Sequence, residues 1–192
     1  MVYLIIGLVL FLGAHSVRIF ADDWRSARIA AMGEGAWKGL YSLVSGVGLA
    51  LIVWGYGLAR EAPVDLWDPP RGLGHLTALL TVPAFVLLAA AYVPGNHLKA
   101  AIGHPMVAGV KLWALAHLLS NGRLADVILF GTLLAWAVAD FAAARRRDRA
   151  GRSPRPGATM GRTLVAVVVG LVAWAAFALH LHASLIGVRP LG

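Results

Sequence analysis

Apolar residues in this chain come as long runs rather than as stripes, and the charged residues gather in the short gaps between them. Six runs qualify as spanning segments: 2–21, 39–59, 73–93, about 104–121, 124–144 and 163–188. Crossing a hydrocarbon core of roughly 30 Å takes about 20 residues at 1.5 Å rise each, and every backbone N–H and C=O must then find its partner within the segment. The pattern therefore predicts an all-α fold, a polytopic membrane bundle of about six helices. The breaks are marked by Asp22-Asp23, Asp68-Pro69-Pro70, Pro94-Gly95-Asn96 and Asn121-Gly122, and such short connections favour antiparallel neighbours.

Composition sharpens this picture. The apolar set makes up 59% of the chain against 14% charged residues, a balance unlike that of a soluble domain. Cysteine is absent. That excludes disulfides, thiolate metal sites, iron–sulfur clusters and covalent haem attachment, so any metal must sit on nitrogen or oxygen. The net charge of +8 does not call for a nucleic-acid partner. Its basic residues cluster in one loop, where anionic lipid headgroups and topology account for them.

The gaps after the first, third and fifth runs hold eleven Lys and Arg residues: Arg25, Arg28, Lys38, Lys99, Arg145, Arg146, Arg147, Arg149, Arg152, Arg155 and Arg162. The opposite side holds four, Arg60, Arg71, Arg123 and Arg189. Because basic loops stay in the cytoplasm, both termini are expected outside it, in the periplasm if the host membrane is a bacterial inner membrane. No Lys or Arg precedes the first run, which is long, so it reads as a retained helix and not as a cleaved signal. The domain reading is a five-helix core over 1–144, a basic cytoplasmic linker over 145–162, expected to be mobile, and a sixth helix with a short tail over 163–192.

Chemistry resides in the histidines. His15, His117, His180 and, more marginally, His75 fall in or just inside the runs, with His104 and His182 near run ends. Ionisable groups inside a membrane are costly and mark interior contacts or functional sites. A hydrogen bond between helices is the ordinary use of one such histidine. Neutral imidazole is also an axial ligand for haem iron, and two make a six-coordinate b-type site. His104 and Lys111 are seven residues apart and share a helix face, from which His117 points away. Met106, Val110 and Trp113 fall near the His117 stripe and give it an apolar, aromatic wall. Arg18, three residues after His15, either pairs with a propionate or phosphate or reaches to the headgroups. His180 and His182 are two apart, so only one can face the bundle. Asp126 and Asp140 read as helix-end groups, with Asp140 placed to pair with the basic linker. No Ser-His-Asp set, zinc motif or Gly-rich phosphate loop is present in the sequence.

Five blocks in order carry a family resemblance: Gly13-Ala14-His15-Ser16, Lys38-Gly39-Leu40-Tyr41-Ser42-Leu43-Val44-Ser45, Ala91-Tyr92-Val93-Pro94-Gly95-Asn96, Gly103-His104-Pro105-Met106 and Lys111-Leu112-Trp113-Ala114-Leu115-Ala116-His117-Leu118. Together they resemble the NnrU family of bacterial integral membrane proteins. The resemblance implies a link to denitrification and nitric oxide metabolism, and homology to a plant 15-cis-zeta-carotene isomerase that is a haem b membrane enzyme. It implies His15 and His117 as the iron ligands. Under a haem reading Arg18, Lys38 or Lys111 would be available for the propionates, and Trp113 would wall the ring from the His117 stripe. Ala114 stands where the isomerase has a cysteine, and Trp136-Ala137 stand about where it has a histidine pair. The resemblance therefore carries haem binding further than it carries isomerase chemistry.

Depth bears on that pair. With helix midpoints near Leu12 and Trp113, His15 and His117 fall on opposite sides of centre, offset by roughly 10 Å at 1.5 Å per residue. Helix tilt can close such a gap; otherwise His75, His117 and His180 form the alternative cluster. Three functions are thus expected to compete. One is a haem b protein in redox, electron-transfer or nitric oxide chemistry. Another is a haem-dependent isomerase of a carotenoid or other polyene lipid, and the third a haem-free assembly or transport subunit. Membrane lipids, and a redox partner or a small-molecule or lipid substrate, are the expected partners.

Overall fold

The computed structural model describes residues 1–70, 72–151 and 157–191. Its long helices are α1 (Val2–Phe20), α3 (Glu34–Glu61), α4 (Leu73–Tyr92), α6 (Pro105–Ser120), α7 (Leu124–Gly151) and α8 (Met160–Ala176). A π-helical turn, Phe177–Leu181, joins α8 to the short α9, His182–Ile186, and the three run on as one apolar segment. Five segments are long and apolar enough to cross a membrane; α6, of 16 residues, is shorter. No strand is present among the described residues beyond an isolated bridge, Asp65 to Arg123.

Two helices fall where no spanning run was read, α2 (Asp22–Met32) and α5 (His97–Ile102). Asp22 and Asp23 do end the first run, but as the acidic first turn of α2, where carboxylates suit the positive end of the helix dipole. Gly33, at φ +84°, then breaks the chain before α3. At the third gap the turn is made by Gly95 (φ +67°) and by Asn96, which is fully buried. The Asn96 side chain accepts from the Lys99 N–H at 2.7 Å to cap α5, and donates to the Ala90 carbonyl at 2.8 Å to close α4. The fifth run ends later than its apolar content suggests. α7 continues helically past Ala144 to Gly151, supported by an ion pair from Arg147 to Asp140 (3.9 Å) and by the contact of His104 Nε2 with Asp148 Oδ2 (3.1 Å). Residues 152–156 of the expected linker lie outside the described residues.

Small residues let the helices approach. A Cβ built on Gly7 would stand 2.6 Å from the Ile52 amide nitrogen, and one on Gly48 would stand 2.7 Å from that of Phe11. α8 meets α4 the same way, Gly170 lying against the Val86 backbone. Outside, the surface is as apolar as the interior: Val9, Leu43, Val53, Leu79 and Leu185 are each at least 65% exposed. In water such a surface would aggregate. In lipid it is the expected outer face, with association resting on close packing of Gly and Ala.

The helices pack side by side in the order α3, α1, α7, α6, α4, α8. α3 and α8 stand at the two ends of that order and, among the described residues, do not pack along one another. At the end of the bundle that carries both termini, the end of α3 reaches α9, where Arg60 Nη1 donates to the Ile186 carbonyl. There the loop after α3 pairs with the α6–α7 turn, Leu66 N–H to Gly122 O at 2.8 Å and Leu124 N–H to Val64 O at 2.9 Å.

Candidate functional site

The two histidines singled out by sequence are held in the same local way. His15 Nδ1 lies 2.7 Å from the Phe11 carbonyl and His117 Nδ1 lies 2.8 Å from the Trp113 carbonyl, each four residues back on its own helix. A carbonyl can only accept, so in each neutral ring Nδ1 carries the proton and Nε2 presents a lone pair. That is the state in which imidazole binds a metal through Nε2, with its orientation fixed by the other nitrogen.

Their surroundings differ. His15 sits among Phe11 (ring centroids 4.2 Å apart), Tyr41 of α3 (5.2 Å) and, edge-on, Trp136 of α7 (5.9 Å). The Trp136 indole nitrogen is buried with no hydrogen-bond partner, so a donor is left unspent beside His15. His117 stacks on Phe130 of α7 at 4.6 Å and lies 4.8 Å from Trp113. Both histidines thus pack against α7, one at Phe130 and the other at Trp136. Six residues of helix separate those two positions, or about 9 Å along the axis.

His117 also lines a cleft of about 1020 Å³ at the termini end of the bundle. His15 is not among its lining residues. Its floor is aromatic and aliphatic, from Trp113, Phe130 and Phe177, and its rim carries Arg60, Asp65 and Arg123. Asp126, 4% exposed, ties the cleft to its helices. Its Oδ1 accepts from the Tyr56 hydroxyl at 2.5 Å, and its Oδ2 accepts from the Arg123 N–H at 3.3 Å. The helix-end role read for Asp126 describes only half of what it does. Asp126 and Tyr56 are 70 residues apart, and the pairing needs α3 and α7 to meet at the termini end of the bundle, past α1.

The remaining candidates scatter. Lys38 is 71% exposed and paired with Glu34 at 2.8 Å. Arg18 is exposed, and its carbonyl accepts from Arg147 Nη1 at 3.4 Å. Lys111 lies over the Phe141 ring, 4.6 Å from its centroid. Trp113 is beside His117 as expected. His75 and His180 are exposed, so they do not join His117 in a cluster. The histidine that does reach the cleft is His182. Sequence spacing showed that only one of His180 and His182 could face inward, and the π-helical turn before His182 decides which. Among the described residues, no three His, Asp or Glu side chains gather closely enough to hold a bare metal ion.

Each of the two imidazoles thus has Nδ1 held and Nε2 unengaged, with aromatic rings against it, and an unspent donor stands beside His15. No curated protein and no solved structure matches the chain. A model of the NnrU protein family matches residues 3–190, nearly its whole length. The chain belongs to the NnrU family.

Proposed function

We propose that this protein is a haem b-binding membrane protein with a redox or electron-transfer role in the nitric oxide and denitrification chemistry with which its family resemblance connects it. The observation that carries this reading is the shared setting of His15 and His117, each with Nδ1–H given to the carbonyl four residues back and Nε2 left as a lone pair. A porphyrin supplies four of six iron ligands itself, so a chain that offers paired imidazoles and no three-residue metal cluster suits it better than it suits a bare ion. Bound there, haem b supplies a one-electron couple. The chain's residues fix the imidazole orientations through Phe11 and Trp113 and keep the surroundings dry with Phe130, Trp113 and Tyr41. The test is the absorbance of detergent-purified protein, oxidised and dithionite-reduced. A Soret band with sharp reduced α and β bands is expected, and protein folded but colourless after expression with haem precursor sinks the reading.

Sidedness belongs to the same proposal. The structure brings both termini to one end of the bundle, and the basic end lies opposite, at Arg145, Arg147 and Lys99. We place the basic end in the cytoplasm of a bacterial inner membrane and the termini in the periplasm. Reporter fusions at Arg152 and after Gly192 are then expected to report opposite sides. Reports from the same side overturn the orientation and the number of crossings together.

A further inference from the structure

The cleft beside His117 has a way in from the bilayer. Val53 on α3 and Leu185 on α9 both line it, yet they are 67% and 70% exposed on the outer, apolar surface. α3 and the α8–α9 segment, which carry them, are the two ends of the helix order and do not pack along one another. A molecule dissolved in the lipid could therefore enter between them without crossing water.

What the cleft would hold follows from three features. The first is charge. Arg60 and Arg123 stand against Asp65, Asp68 and Asp126 among its described lining residues, an excess of one carboxylate. Arg60 is already engaged with the Ile186 carbonyl, and Arg123 with Asp65 at 3.4 Å. The described lining residues offer a phosphate or carboxylate headgroup no matching field. The second is shape: Trp113, Phe130 and Phe177 give flat aromatic walls against which a ring can lie.

The third feature is His182. Its Nδ1 lies 2.7 Å from the Val188 carbonyl, so the neutral ring holds its proton there and offers Nε2 as an acceptor. The ring reaches the cleft because of the π-helical turn. The His182 N–H bonds to the Phe177 carbonyl, five residues back, and the two rings come within 5.8 Å. In an α-helix residues five apart would point about 140° away from each other. The turn thus sets an aromatic wall and a hydrogen-bond acceptor side by side on the cleft, a placement π-turns often serve at functional sites.

We propose that this cleft binds a membrane-dissolved quinol, an uncharged flat ring on an apolar tail, with one ring hydroxyl donating to His182 Nε2. This deepens the redox reading given above and rests on it for its purpose, but the binding itself does not require iron. An apolar tail leaves through the opening at Val53 and Leu185. His117 borders the same cleft, so the bound ring lies next to a histidine assigned to the haem.

Binding of tritiated decylubiquinol, kept reduced under argon, to the full chain in detergent tests this. His182→Phe keeps a ring and removes the acceptor, and it is expected to weaken Kd about tenfold, the worth of one buried hydrogen bond. The O,O-dimethyl ether of the same quinol has no hydroxyl to donate. It is expected to bind the parent protein about tenfold more weakly than the quinol does, and to bind His182→Phe no worse than the parent, because the lost bond is counted once. Val53→Trp, at the mouth, is expected to abolish saturable binding, and His180→Ala, on the outer surface, to leave Kd unchanged. Equal affinity for quinol and ether, an unchanged Kd in His182→Phe, or displacement of the quinol by phosphatidylglycerol in proportion overturns the proposal. So does a His182→Phe protein that loses its haem absorbance, since His182 then belongs to the iron. A parent protein that lacks haem but shows these binding ratios upholds the quinol site while the haem reading falls.

Discussion

Replacing His117 with alanine is expected to remove haem from the protein or to convert a low-spin spectrum to a five-coordinate, high-spin one. The side chain supplies an Nε2 whose orientation is set by the Nδ1 bond to the Trp113 carbonyl and by stacking on Phe130. Alanine leaves a cavity continuous with the neighbouring cleft, which water can enter, and water is a weak-field ligand that keeps iron high-spin. His15→Ala is expected to act the same way from the other side, leaving the Trp136 indole nitrogen beside an empty space. The double variant is expected to purify colourless. Alanine at His97, whose ring nitrogen is already bonded to the Thr163 hydroxyl at 2.9 Å on the surface, is expected to leave every band in place. The measurement is the pyridine haemochrome ratio of haem to protein, read together with the oxidised spectrum. If His15→Ala and His117→Ala both keep the parent spectrum, neither histidine holds the iron.

The separation of those two histidines along the bundle gives the prediction its sharper edge. Read from helix midpoints in the sequence, the offset is roughly 10 Å; read from their contacts on α7, it is about 9 Å. One iron would need the two imidazoles level to within a few Å, so helix tilt would have to close that offset, and the surroundings of the two rings are unlike. His117 borders a large cleft, whereas His15 is walled in by Phe11, Tyr41 and Trp136. The His117→Ala protein is accordingly expected to bind added imidazole and recover a low-spin spectrum, because the cleft admits it. His15→Ala is expected to recover less.

Helix positions were legible in the sequence because a membrane demands uninterrupted apolar runs, and that demand leaves little room for alternatives. The fourth break at Asn121-Gly122 and the third at Pro94-Gly95-Asn96 fall where the chain turns. What could not be read was anything set by contact between distant segments. Asp126 looks like a capping residue because its partner, Tyr56, lies 70 residues earlier. His182 looks peripheral under α-helical arithmetic, and only the five-residue hydrogen bonding of the π-turn rotates it to the cleft. α2 escaped because its 11 residues include none that is buried, so no apolar run announces it. The extension of α7 to Gly151 escaped because charge was taken to end the helix. A helix leaving the hydrocarbon can continue on ion pairs such as Arg147 to Asp140.

Replacing Gly55 with leucine is expected to disrupt folding strongly. A Cβ at Gly55 would fall into the Leu4 backbone, and Leu4 is fully buried at the heart of the α1–α3 contact. Backbone cannot rotate out of the way as a side chain can, so the helices must part. Parting them also separates the neighbouring close approaches, Gly7 to Ile52 and Gly48 to Phe11. In lipid no water is released when helices associate, so lost packing is not offset by any gain elsewhere along the interface. The cost is expected to reach or exceed about 3 kcal/mol, the upper end for overpacking a core. In detergent this reads as loss of the monodisperse peak in size-exclusion chromatography, or as a fall of ten degrees or more in the thermal midpoint. Gly46 and Gly131 sit on helices with nothing within 4 Å of an added Cβ. Alanine there is expected to be neutral or mildly stabilising, by up to about 1 kcal/mol, through helix propensity. If Gly55→Leu runs and melts like the parent protein, α1 and α3 are not in the contact described. The alignment of Leu4 and Phe11 on α1 with Gly55 and Gly48 on α3 would then be wrong, and with it the placement of His15 against Tyr41.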